Sequence, residues 1–195
     1  MRRISKKIAI FLLATTVLTG CGNPLNKMTK NTVYVNKDGK VESLSIETFD
    51  KDYYSEEELK TFIDKEIKAQ QQERGEESLS LEEFEVKNEK ATLKILYNNA
   101  EDYAAFTDTI FEQGTYAETV LKKNEVLLDA QTKKEVEETP RQAEGLKYIR
   151  IQDSEGIQIL VDGTMLYYSE KVEMVEDNLV KVPAGESCII VYEEK

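Results

Sequence analysis

The 195-residue chain contains no histidine and no tryptophan, and only two cysteines. Without histidine there is no imidazole base, no Ser-His-Asp triad, and none of the commonest zinc ligand. Without tryptophan, the broad stacking platforms expected of a sugar-cleaving cleft are missing as well. Gly-x-Ser-x-Gly, Gly-x-Gly-x-x-Gly and the Walker phosphate loop do not occur, which removes the nucleophile elbow and the phosphate cradle. Positive charge is also in deficit, with 26 Lys and Arg against 38 Asp and Glu for a net charge of -12. Nucleic-acid binding runs on clustered cations that neutralise phosphates, so no nucleic-acid partner is expected.

What is present begins at the N-terminus. Arg2, Arg3, Lys6 and Lys7 precede an apolar run from Ile8 to Leu18, which is the pattern of a secretory signal. A membrane-spanning helix needs about 20 apolar residues, and this run ends sooner, in Leu18-Thr19-Gly20-Cys21. That tetrapeptide resembles the lipobox of bacterial lipoproteins. The resemblance implies a diacylglyceryl group on the Cys21 thiol, cleavage between Gly20 and Cys21, and a new N-terminus that stays in the membrane. Two acyl chains give a durable anchor, at about 0.8 kcal/mol per buried methylene. Loss of residues 1–20 removes four positive charges and no negative ones, taking the formal charge from -12 to -16. With Cys21 acylated, Cys188 has no partner for an internal disulfide, so packing must supply the stability.

The organisation expected is a signal peptide over 1–20, a lipidated tether over 21–31, an α+β region over 32–139 and a β-rich region over 140–195. The last either forms one domain with the region before it or a smaller module joined near residue 140. In 32–48, Val33 and Val35, then Leu44 and Ile46, alternate on either side of Asn36–Gly39, as in a β-hairpin. Ser55 with Glu58 makes a capping box ahead of Leu59, Phe62, Ile63 and Ile67 on one helical face, and Gly75 suits the stop. A helix over Glu56–Arg74 is predicted. Leu81–Lys87 and Ala91–Tyr97 read as a second hairpin. Asn98 or Asn99 then caps a second helix that carries Tyr103, Phe106 and Ile110 inward, with Phe111 a further candidate, and ends at Gly114. Thr132–Glu144, dense in charge and holding Pro140, reads as a mobile excursion.

From Leu146 onward, short apolar runs are divided by turn residues such as Asp153-Ser154-Glu155-Gly156 and Asp162-Gly163. The fold class expected is therefore α+β: antiparallel β-hairpins with two amphipathic helices, then a β-rich C-terminal sheet or small barrel. The Val35-Asn36-Lys37-Asp38-Gly39 hairpin, the stretch Val161–Ser169 and the Ile189-Ile190-Val191-Tyr192 ending together resemble uncharacterised small lipoproteins of low-GC Gram-positive bacteria. That resemblance implies no activity.

Chemistry is hard to place on this chain. Cys188 stands in an apolar strand with no base to activate it, where cysteine acts as a small hydrophobe. Asp50-Lys51-Asp52 opens like a calcium loop, but Tyr54 stands at the third ligand and Ser55 at the turn glycine. The acids are so many that no pair can be singled out for the fixed separation glycoside cleavage needs. In Tyr53-Tyr54 and Tyr167-Tyr168, if extended, one ring of each pair must face outward. No catalytic, cofactor-binding or metal-ligating residue is assigned, and no cofactor is expected. The reading is a non-enzymatic binding or scaffolding lipoprotein of the cell envelope, held on the extracytoplasmic face through lipid on Cys21, with an envelope protein as partner. The alternative is a carboxylate-dependent envelope hydrolase, metal-assisted or not.

Overall fold

The computed structural model describes residues 22–117, 121–122, 125–136 and 145–194. Among the described residues twelve strands follow one another as β1 (Thr32–Val35), β2 (Val41–Thr48), β3 (Leu79–Lys87), β4 (Lys90–Tyr97), β5 (Ile110–Thr115), β6 (Leu127–Asp129), β7 (Leu146–Gln152), β8 (Ile157–Val161), β9 (Gly163–Ser169), β10 (Glu173–Glu176), β11 (Leu179–Val182) and β12 (Cys188–Glu194). Helix α1 (Glu56–Arg74) lies between β2 and β3, and α2 (Ala100–Thr107) between β4 and β5. The architecture is mixed α+β, with one sheet in the order β10-β11-β8-β1-β2-β4-β3 and another in the order β5-β7-β12-β9-β6.

Among the described residues neither sheet closes, which corrects the expectation of a small barrel. Nor do the C-terminal strands form a sheet of their own. β8, β10 and β11 join the N-terminal strands, and β7, β9 and β12 share the other sheet with β5 and β6. The join is the parallel pair β1–β8, where Val33 lies opposite Ile159 and Val35 opposite Val161. Apolar runs signal burial but do not name a strand's neighbour, so sequence pattern alone could not divide these strands.

One core fills the space between the sheets and under the helices. The larger sheet contributes Val33, Val35, Ile95, Tyr97, Ile159 and Val180, the smaller one Ile149, Ile151, Cys188 and Ile190, and the helices Ile63, Ile67 and Tyr103. Tyr97, Tyr103 and Phe111 stack edge to face in a row, with centroid separations of 5.2 and 4.9 Å. A second cluster of Tyr116, Leu127, Leu146, Ile189 and Val191 lies on the other face of the smaller sheet, so β12 is buried on both sides.

The helices begin where the sequence caps them. Ser55 Oγ accepts from the Glu58 amide, Asn99 Oδ1 accepts from the Asp102 amide, and Gly75 ends α1 at a φ of 104°. The second helix is shorter than expected. It stops at Asp108, whose φ of 52° is left-handed, and Ile110 and Phe111 then belong to β5. Phe111 is buried, but Ile110, expected inward, is half exposed. Phe62 differs in the same way, for it lies on the flank of α1 and is exposed.

Residues 22–31, expected as a tether, lie against the body. Asn23 Oδ1 accepts from the Leu25 amide to start a short 3-10 helix, Pro24–Lys27, in which Leu25 is buried. Asn23 Nδ2 donates to Glu42 Oε2, and Asn26 Oδ1 accepts from Lys94 Nζ at 2.7 Å. Asn31 accepts from the Ile46 amide and donates to Glu47. Of the charged excursion, residues 132–136 fold back on β6, with the Lys133 amide donating to Asp129 and the Val136 amide to Leu127. Residues 137–144 lie outside the described residues.

Candidate functional site

Gly20 and Cys21, the residues expected at signal cleavage and lipid attachment, lie outside the described residues, as do Leu18 and Thr19. Their nearest described neighbours do bear on them. Packing begins at Asn23, so at most about 7 Å of extended chain separates Cys21 from the folded body.

A trough lies at one end of the larger sheet. It consists of two adjoining clefts of about 520 and 670 Å³ that share Asn31, Glu47, Glu155, Gly156 and Ile157. Its walls come from the segment before β1, the end of α2, the β7–β8 turn and residues 183–185. The turn forms because Asp153 Oδ1 accepts from both the Glu155 and the Gly156 amides at 2.9 Å, a self-capping use of aspartate. Gly156 is required there: its φ is +81°, and a Cβ would approach Val182 O to 3.0 Å. The Gly185 amide donates to Asp153 O at 2.7 Å and locks the opposite wall to the turn.

Glu47, Asp108, Asp153 and Glu155 line the trough, and Lys30, Lys90 and Lys181 border the larger cleft. Two of the carboxylates already serve the fold, Asp153 in its turn and Glu47 as acceptor from Asn31. Ser45, Ser154, Thr107 and Thr109 bring hydroxyls, but the chain has no imidazole to activate them. Among the described residues no three Cys, Asp or Glu side chains gather as metal ligands would. The trough can therefore hold a polar molecule by hydrogen bonds and mixed charge.

The remaining sequence candidates are dispersed. Cys188 is a free thiol within the core, and burial, with Glu186 adding to it, pushes its pKa up to about 11. A thiol held protonated this way is a poor nucleophile. Tyr168 is buried, whereas Tyr167 packs half-buried on the second cluster. Tyr53 and Tyr54 are not in a strand. They form an exposed aromatic group with Phe49 in the loop before α1, with centroids 5.0 Å apart. Asp50 pairs with Lys51 at 3.1 Å.

The sequence reading missed one buried ion pair. Arg150, 3% exposed, points from β7 to the outer side of the smaller sheet and forks onto Glu125, its Nη2 donating to Oε2 at 2.9 Å. Burial works to raise the Glu125 pKa. Hydrogen bonds from Arg150 and from the Lys122 amide, with the charges they carry, outweigh it and hold the carboxyl below its usual range. The lone Arg150 within the apolar run Tyr148–Ile151 was the available signal, since a buried arginine requires a partner.

No protein-family model matches the chain, no curated protein is similar to it, and no solved structure is similar to it.

Proposed function

We propose that the chain is a membrane-anchored extracytoplasmic lipoprotein, and that its body is a binding or scaffolding module of the cell envelope. The observation that carries this reading is the order basic start, short apolar run, Leu18-Thr19-Gly20-Cys21, followed within two residues by a packed body. Acyl chains on Cys21 would hold that body close against the bilayer. The strong negative charge of the processed chain keeps the rest of its surface from lying flat on anionic lipid. Support for binding over catalysis comes from the trough, where Asp153 and Glu47 serve a turn and a side-chain bond and the hydroxyls have no imidazole beside them.

The test is Cys21→Ser with cell fractionation and mass spectrometry of the native product. The expected result is an N-terminal fragment bearing diacylglyceryl on Cys21 and loss of membrane retention in the variant. An unmodified thiol, or a variant still cleaved and still retained, defeats the proposal.

A further inference from the structure

On α1, Phe62, Glu66, Ala69 and Glu73 recur at i, i+4, i+7 and i+11 and so form one stripe along the helix. It runs beside the stripe of Ile63, Ile67 and Gln70 that enters the core. Opposite, α2 brings up Phe106, β4 supplies Leu93 as a floor, and the space between is a groove of about 430 Å³. The Arg74 guanidinium donates to Asp102 at 2.6 Å and ties the end of α1 to the first turn of α2.

Three features mark this groove as a surface that lacks its cover. Phe62 remains 58% exposed, although Leu59, Ile63 and Ile67 of α1 pack inward. Gln70 lines the groove and is only 9% exposed, and its Nε2 is sealed from solvent with no acceptor. A buried amide in that state is a standing cost that an arriving carbonyl removes. The rim carries Glu66 and Glu73, and among the described residues no lysine or arginine lines the groove.

We propose that the α1–α2 groove docks a segment of a partner protein in which apolar side chains are flanked by Lys or Arg. The apolar side chains cover Phe62, Leu93 and Phe106, a carbonyl of the segment accepts from Gln70 after rotation of its terminal amide, and the cations meet Glu66 and Glu73. The charge decides among occupants. Anionic lipid is repelled by the rim, and a second copy docking by two-fold symmetry would bring like-charged rims together. The inference deepens the binding reading and rests on it for the partner's being a protein. It does not depend on the anchor, whose failure appears in fractionation and not in the assay below.

The assay is fluorescence anisotropy of the full chain with a labelled synthetic amphipathic peptide of leucine and lysine, beside the same peptide with each lysine changed to glutamate. The expected result is saturable binding of the basic peptide alone. Glu66→Lys with Glu73→Lys should weaken it at least about tenfold, equivalent to 1.4 kcal/mol. The matched reversal Glu173→Lys with Glu176→Lys, on β10 at the opposite edge of the larger sheet, should leave it within about twofold. Equal losses in both double variants would reduce the binding to net charge and overturn the proposal, as would binding of the acidic peptide. Phe62→Ser should also weaken the peptide. Self-association of the free chain, or adsorption to anionic vesicles, that Phe62→Ser abolishes would assign the groove to another occupant and overturn the proposal. Gln70→Leu should raise the melting temperature of the free chain and weaken the peptide severalfold. Higher melting with unchanged affinity would make Gln70 purely structural and remove it from the site.

Discussion

Strands β4 and β12 are of similar length yet are buried in different ways. In β4, Ala91, Ile95 and Tyr97 are buried while the residues between them are partly open. In β12, Cys188 to Tyr192 are buried without interruption. β4 presents one face to the core and, on the other, the partly open Thr92, Lys94 and Leu96, with Lys94 donating to Asn26 of the N-terminal segment. β12 lies between the main core and the second cluster. A one-faced strand tolerates change on alternate residues; a two-faced strand tolerates almost none. The sharpest contrast is therefore Ile190→Ala against Thr92→Ala. The first opens a cavity at a fully buried site and should cost about 3–4 kcal/mol. The second trims a half-buried side chain on the outer face and should stay within about 0.5 kcal/mol. Urea unfolding of the two purified variants decides it, and equal costs would show that β4 is buried on both faces too.

The smaller sheet's outer face depends on the pair Arg150–Glu125 as well as on apolar contact. Glu125→Ala removes a forked carboxylate from a buried guanidinium and should cost about 2–3 kcal/mol, while Arg150→Met with Glu125→Leu should restore part of that stability. The pair also sets a pH dependence. The folded carboxyl titrates below its unfolded value, so its contribution is complete above the unfolded pKa, near 4.3, and disappears as pH falls through the lower folded pKa. Urea midpoints between pH 6 and pH 3 should fall more steeply for the native chain than for the apolar double variant. Parallel curves would mean the pair contributes nothing to acid sensitivity.

Two glycines of the same sheet sharpen the point. At Gly163 a Cβ would stand 2.3 Å from Glu193 O, a backbone atom held by the β9–β12 pairing. At Gly114 it would meet the Tyr148 ring at 3.2 Å, and a side chain can move aside. Gly163→Ala should cost about 2 kcal/mol and Gly114→Ala about 1 kcal/mol or less, measured by the same unfolding experiment. The reverse order would mean that the β9–β12 backbone yields more readily than the ring.

The contrast between β4 and β12 also explains what could be read from the chain in advance. Alternation in Leu93, Ile95 and Tyr97 carries its own face assignment, and Ser55, Asn99 and Gly75 carry the chemistry of helix ends in single side chains. The run Cys-Ile-Ile-Val-Tyr says only that it is buried. Its neighbours β7 and β9, and the parallel contact of β8 with β1, depend on residues far away in sequence. The break at Asp108 was hidden because Ile110 and Phe111 continue a helical spacing that the left-handed residue interrupts. The trough brings together Asn31, Asp108 and Asp153, which no local pattern relates. Phe62 fits the core periodicity of α1 yet faces outward, and the local spacing of a helix cannot say how far its partner reaches across.

Ser55→Ala tests the smallest effect and the most local one. The hydroxyl accepts from the Glu58 amide at 3.2 Å, which satisfies one of the donors the first turn leaves open, and Glu56, Glu57 and Glu58 add favourable charge at the same end. Its loss should cost about 1 kcal/mol. The helix carries Ile63 and Ile67 into the main core, so unfolding should shift to lower urea with an unchanged slope. The Arg74–Asp102 tie lies at the far end of α1, and the groove beside Phe62 should therefore keep its affinity for the basic peptide. A cap variant that lost peptide binding along with stability would show that the groove's geometry depends on the first turn of α1, and that the two ends of the helix are not independent.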